Sequence, residues 1–261
     1  MSTGPSWENF YNAVKGPDWP ACPLEKDFKL LPEFVQKELI EFGYVGASSD
    51  PRDIRQVFDA NGINVYYYPE NDGGGRYFGQ DYIRVIKEKY PGKTFNNCYE
   101  WCAGPGFIGY ALLSNNLCNH LYLTDIWPPA IVDARVTQSY LQDDLKNCVR
   151  AEIFEKIEFL PNSWKFDLIV ANPPHYHNIV HPDNNTNRIG LDSNWDIHKE
   201  FYKHIGSHLN DDGIILIQES YDSSSLDTFK YMIEENGLEI TNCFDSRFKP
   251  FYFIEVRHLT K

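Results

Sequence analysis

The chain has 261 residues, 24 Lys and Arg against 37 Asp and Glu for a formal charge of −13, and an aromatic content of 15%. Its length suits one large domain or a catalytic domain with a smaller extension, and its apolar and aromatic content excludes a disordered or fibrous chain. The acid excess, concentrated after residue 95, argues against a broad basic face for gripping phosphate backbones, because such faces act through Lys and Arg displacing counterions.

The N-terminal stretch sets Trp7, Phe10, Tyr11 and Trp19 among polar residues, without the continuous apolar run of a signal peptide. No window reaches the roughly 20 apolar residues of a membrane span. Amphipathic helices are predicted over 32–42 and 51–61, then a strand over 63–68, a flexible turn at Asp72-Gly73-Gly74-Gly75 and a helix over 79–90. We read residues 1–93 as a mainly helical N-terminal cap and substrate region, and 94–261 as a sheet domain. In the latter, short apolar runs alternate with helical stretches, the pattern of parallel strands joined by crossover helices. Strands are expected over 97–101, 120–124, 156–160, 167–171 and 213–218, with helices over 106–115, 130–147, 196–209 and 225–237. The runs 238–244 and 251–259 close one edge as an antiparallel hairpin. The expected fold class is therefore α/β, a seven-stranded, mostly parallel sheet. Six scattered cysteines without a CxxC pair fit a reduced, cytoplasmic setting.

The first strand of the sheet domain runs into Cys102-Ala103-Gly104-Pro105-Gly106-Phe107-Ile108-Gly109. Gly104, Gly106 and Gly109 spell G-x-G-x-x-G, in which glycines let the backbone turn tightly and approach a ligand at a helix N-terminus. Asp125 ends the next strand, 19 residues after Gly106, where it can accept both hydroxyl hydrogens of a ribose. Glu100, two residues before the loop, would repel a pyrophosphate but could bind a cationic amino-acid group. The fourth strand delivers Asn172-Pro173-Pro174-His175 at its carboxyl end. The two prolines fix the backbone and remove two N–H donors, and Asn172 adds a side-chain carbonyl, so the turn is a rigid set of acceptors.

The ordered set of Glu100 with its glycine loop, Asp125 and Asn172 to His175 resembles the class I S-adenosylmethionine-dependent methyltransferases, and within them the Asn-Pro-Pro group that methylates planar nitrogens. The resemblance covers about residues 77–259 and implies a Rossmann-like fold. It also implies S-adenosyl-L-methionine as cofactor, held by Glu100, Cys102, Ala103, Gly104, Gly106, Asp125 and Ile126. Tyr77, Phe78 and Gln80, just before the sheet domain, are where members of the group close over the cofactor. Cys102 replaces the common first glycine. His175 stands where an aromatic residue usually stacks on the substrate. The family's acid near the end of the third strand has no counterpart in residues 160–164, where Asn162 is left to hydrogen-bond the adenine amine.

The implied catalytic residues are Asn172, Pro173, Pro174 and His175. His177, His181 and Asp183 follow with no recognised ligand spacing, and His204 and His208 lack a third partner, so no metal is expected. The acidic surface favours a protein amide or small amine as acceptor. An RNA or DNA base, a nicotinamide-dependent oxidoreductase and a non-catalytic methyltransferase-like binding subunit are the alternatives.

Overall fold

In the computed structural model, residues 55–178 and 189–259 are described. The chain enters through a ribbon of β1 (Gln56–Asp59) and β2 (Asn64–Tyr67), then helix α1 (Gly75–Lys89). There follow β3 (Phe95–Trp101), α2 (Phe107–Ser114), β4 (Cys118–Asp125), α3 (Pro128–Ser139), the short α4 (Asp143–Lys146), β5 (Val149–Ile153) and β6 (Phe166–Ala171). Then come α5 (Asp196–Ile205), β7 (Leu209–Ser220), α6 (Leu226–Glu234), β8 (Leu238–Asp245) and β9 (Phe251–His258).

Seven strands form one sheet in the order β5-β4-β3-β6-β7-β9-β8. The pairs among β3 to β7 are parallel, and β9 runs antiparallel between β7 and β8. The expected Rossmann-like sheet with its C-terminal hairpin is present. Strand order reverses between β3 and β6, the switch point at which ligands bind in open α/β sheets.

Side chains alternate along the strands between two apolar layers. Cys98, Leu168, Val170 and Leu216 pack with α1, α2, α3 and the ribbon, whereas Tyr99, Ile169, Ala171 and Ile217 pack with α5 and α6. Both faces of the central strands are covered, which is why these strands read as continuous apolar runs.

Three local expectations give way. The helix over 51–61 is replaced, where described, by β1. Asn61 and Gly62 both have positive φ (59° and 104°), and Ala60 N donates to Ile63 O at 2.8 Å, so the Asn-Gly pair forms the hairpin turn its sequence favours. The third strand is β5, not 156–160; that segment instead makes a 3-10 turn at Ile157–Phe159, ahead of Pro161, and buries Ile157 and Leu160 against α5. The helix over 130–147 breaks after Ser139 and resumes as α4. The region expected to be a mainly helical cap contains, among its described residues, a ribbon and one long helix. The helix predicted over 32–42, with Trp7, Trp19, His181 and Asp183, lies outside the described residues.

Candidate active site

Register sets the site. Trp101 pairs with Thr124 on one side and Ala171 on the other, and Asp125 pairs with Ile153. The residues that follow, Cys102, Phe154 and Asn172, therefore open with Asp125 at the carboxyl end of the sheet. They border a cleft of about 640 Å³.

The loop between β3 and α2 is held by three left-handed residues, Cys102, Gly104 and Gly106 (φ 52°, 53° and 85°). Its backbone is tied to β4: Ala103 N donates to Thr124 O at 2.9 Å and Gly104 N to Asp125 Oδ2 at 2.8 Å. The other carboxylate oxygen of Asp125 accepts from Trp127 N at 2.8 Å. Cys102, Ala103, Gly104 and Asp125 line the cleft, as does Ile126, which is 44% exposed. Gly106 caps α2 rather than lining the cleft.

Glu100 also borders the cleft, but its carboxylate is tucked beneath the loop, where Oε2 accepts from Gly109 N at 2.7 Å and Oε1 from Ile108 N at 3.3 Å. It occupies the donors that a pyrophosphate would need at this helix N-terminus. Burial pushes its carboxyl up to about 8, against the lowering effect of the two backbone bonds.

Across the cleft, Asn172 Nδ2 donates to Gly73 O at 2.9 Å and Asn172 Oδ1 faces His175 Nε2 at 2.9 Å. Pro174 lines the cleft, and Pro173 is buried in the turn. The His175 ring faces inward, 8% exposed, with its centroid 5.2 Å from that of Phe251, and does not border the cleft. Its carbonyl accepts from Ser223 Oγ.

Several predicted contacts fall elsewhere. Tyr77 stacks with Arg76 at the surface, Phe78 packs on Phe248 and Phe251, and Gln80 accepts from Asn61. Asn162 is exposed and away from the cleft. The cleft wall is built instead by Asn71 and Gly73 just before α1, by Gly75 at its first position, and by Phe154 and Glu155 after β5. Placing the third strand at residues 149–153 puts Glu155 near its end, where the resemblance calls for an acid. His204 lies 4.0 Å from Glu158, and His208 Nδ1 bonds to Trp164 O, so the two do not converge. Among the described residues no group of three His, Cys, Asp or Glu side chains is placed to hold a metal ion, and no helix is long and apolar enough to cross a membrane.

No family model and no curated protein matches the sequence. Solved structures do resemble the fold. The mitomycin 7-O-methyltransferase MmcR aligns with a TM-score of 0.53 at 14% identity, over 70% of this chain and 54% of that one. This chain thus spans about half of MmcR. The glycopeptide N-methyltransferase MtfA aligns with a TM-score of 0.53 at 10% identity, over 70% and 90% of the two chains. Its complex with sinefungin gives 0.52 at 9%, over 69% and 94%. The fold is the Rossmann-like α/β fold that these structures share.

Proposed function

We propose that this protein is an S-adenosyl-L-methionine-dependent methyltransferase acting on a nitrogen of a protein or small-molecule acceptor. The observation that carries this is the convergence, by strand register, of the glycine loop, Asp125, Glu155 and Asn172 on one cleft. The donor set suits the cofactor: Asp125 offers a carboxylate for ribose hydroxyls, Glu100 a buried carboxylate for a cationic amino group, and Ile126 and Phe154 apolar walls for a purine. Neighbours of this fold include O- and N-methyltransferases by name, so the nitrogen preference rests on the Asn-Pro-Pro turn.

When bound, S-adenosylmethionine supplies an electrophilic methyl group. The chain's own residues bind and orient. Asn172 Oδ1 keeps a lone pair for an acceptor N–H, and the prolines hold the turn rigid without offering competing donors. Burial and the surrounding carboxylates push the Cys102 thiol well up, which disfavours its thiolate. Residues 69–75, within the proposed cap, close one side of the cleft. Acidic side chains on its rim, Glu155, Asp196 and Glu200, favour an amine or amide over a phosphate-rich substrate.

Isothermal titration with S-adenosylhomocysteine is expected to show binding, and its absence would remove the proposal. Asn172→Ala should lower turnover by about 100-fold or more while changing cofactor affinity little. The acceptor is found by incubating with radiolabelled S-adenosylmethionine and separating lysate into protein, RNA and small-molecule fractions. Label in the protein or small-molecule fraction is expected; label in RNA would favour a base N-methyltransferase.

A further inference from the structure

Behind the Asn-Pro-Pro turn, four ionisable side chains stand in single file. Asp192 Oδ2 is 2.6 Å from His198 Nδ1, His198 Nε2 is 2.9 Å from Glu219 Oε1, and Glu219 Oε2 is 3.6 Å from His175 Nδ1. His175 Nε2 then meets Asn172 Oδ1. Asp192, His198 and Glu219 are fully buried, and none of the four borders the cleft. Asn172 is therefore the point at which this file reaches it.

The hydrogen-bonding roles are fixed by chemistry. Both His198 nitrogens face carboxylate oxygens, so both donate and the ring is an imidazolium. Burial alone would lower its pKa, but the Glu219 charge and the Asp192 hydrogen bond outweigh that and hold it up at about 9. Burial would raise Glu219, but the charge and hydrogen bond of His198, with His175 close by, keep it below the ordinary range. Asp192 also accepts from Ile197 N and His198 N at the start of α5. At the other end, Asn172 gives its Nδ2 hydrogen to Gly73 O, so Oδ1 faces His175 and His175 Nε2 must carry the hydrogen. His175 Nδ1 and Glu219 Oε2 have no hydrogen-bond partner within normal distance. The least satisfied contact of the file, Glu219 Oε2 with His175 Nδ1, lies one residue from the site.

We propose that Asp192, His198, Glu219 and His175 are positioning residues for the acceptor nitrogen. They pin the Asn172 carboxamide with its oxygen available to the acceptor. This deepens the methyltransferase reading and rests on it. In the transfer step the nitrogen lone pair forms the new N–C bond as the S–C bond breaks. The S–C electrons remain on sulfur as a neutral thioether, the positive charge passes to nitrogen, and a nitrogen-bound proton then leaves to water. A pinned carboxamide oxygen accepts from an N–H and stabilises charge developing on that nitrogen, whereas it repels a phenolate or alkoxide, so the acceptor class is a neutral N–H nitrogen rather than an oxygen.

Sinefungin tests this without knowledge of the acceptor, because it carries a protonated amine where the cofactor carries its methyl group, and S-adenosylhomocysteine carries nothing there. Isothermal titration of both ligands is compared for the wild type, Glu219→Gln, His175→Phe and His175→Gln. The wild type should prefer sinefungin. Glu219→Gln and His175→Phe should each reduce that preference by about tenfold, with S-adenosylhomocysteine affinity nearly unchanged. His175→Gln, which keeps an N–H donor for Asn172, should retain more of it than His175→Phe. Retained S-adenosylhomocysteine binding also shows that a variant is folded, and the two His175 variants test the file if Glu219→Gln is not. Retained binding with an unaltered preference overturns the positioning role alone, whereas a wild type that binds neither ligand removes the methyltransferase reading with it.

Discussion

Cys102 holds a backbone conformation that favours glycine. Its φ of 52° places a Cβ in the left-handed region, which costs an ordinary residue about 1–2 kcal/mol. Cys102→Gly should therefore stabilise the protein by up to about 1 kcal/mol after the entropy of the unfolded glycine is counted, read as a higher denaturant midpoint at unchanged slope. Glu100 makes a different prediction. With its pKa raised by burial from 4.5 to about 8, the folded protein holds this proton more tightly than the unfolded chain. In that window stability falls as pH rises, and it levels off above about 8. At pH 7 the ligand-free carboxyl is mostly protonated, and a cationic amino group arriving beside it favours the carboxylate. Binding of S-adenosylhomocysteine at pH 7 should thus release up to one proton, seen as a dependence of the calorimetric enthalpy on the buffer's ionisation enthalpy. Glu100→Gln should abolish that dependence, and a wild type without it would refute the contact.

At the scale of elements, α2 approaches β4 so closely that Gly109 has no room for a side chain. A Cβ there would lie 2.6 Å from Leu121 Cδ1, 2.8 Å from Leu123 Cδ2 and 2.8 Å from Glu100 Oε2. Gly109→Ala should cost about 1–3 kcal/mol by overpacking and weaken S-adenosylhomocysteine binding, because α2 and Glu100 must move apart. The third glycine of the loop thus serves helix packing rather than the tight turn and ligand approach expected for the loop's glycines. The third strand was harder to see. Ile157, Phe159 and Leu160 make a strand-like apolar run, while β5 alternates Val149, Ala151 and Ile153 with Arg150 and Glu152 in a short segment. Local hydrophobicity favours the wrong run, and only pairing with β4 decides it; the same displacement points to Asn162 and hides Glu155. The Asn61-Gly62 turn, by contrast, carried a local signal that a helical reading of residues 51–61 overrode.

Across the whole molecule, the sheet class and the cleft's main loops were legible because each depends on short-range chemistry: an apolar strand, then glycines, an acid or Asn-Pro-Pro. What sequence did not disclose is contact between distant segments. The wall of residues 69–75, and the file from Asp192 to His175, join side chains whose meeting is fixed by the sheet. Asp133 on α3 is the main anchor of that wall. Its carboxylate accepts from Arg55 Nε at 2.6 Å, Asn71 Nδ2 at 2.7 Å and Tyr68 N at 3.0 Å, while Asn71 Oδ1 also accepts from Trp127 Nε1 at 3.1 Å. The same helix reaches the opposite edge, where Arg135 donates to Ala151 O and Gln138 to Val149 O. Through Gly73 the anchored segment then receives the Asn172 amide. Asp133→Ala removes an ion-pair partner of the buried Arg55 and the acceptor for Asn71 and Tyr68, so it should cost about 3 kcal/mol in urea unfolding. If α3 is also what holds the wall against the cleft, the folded variant should bind S-adenosylhomocysteine at least about tenfold more weakly than the wild type. Destabilisation with unchanged affinity would confine Asp133 to the fold and leave the wall anchored elsewhere.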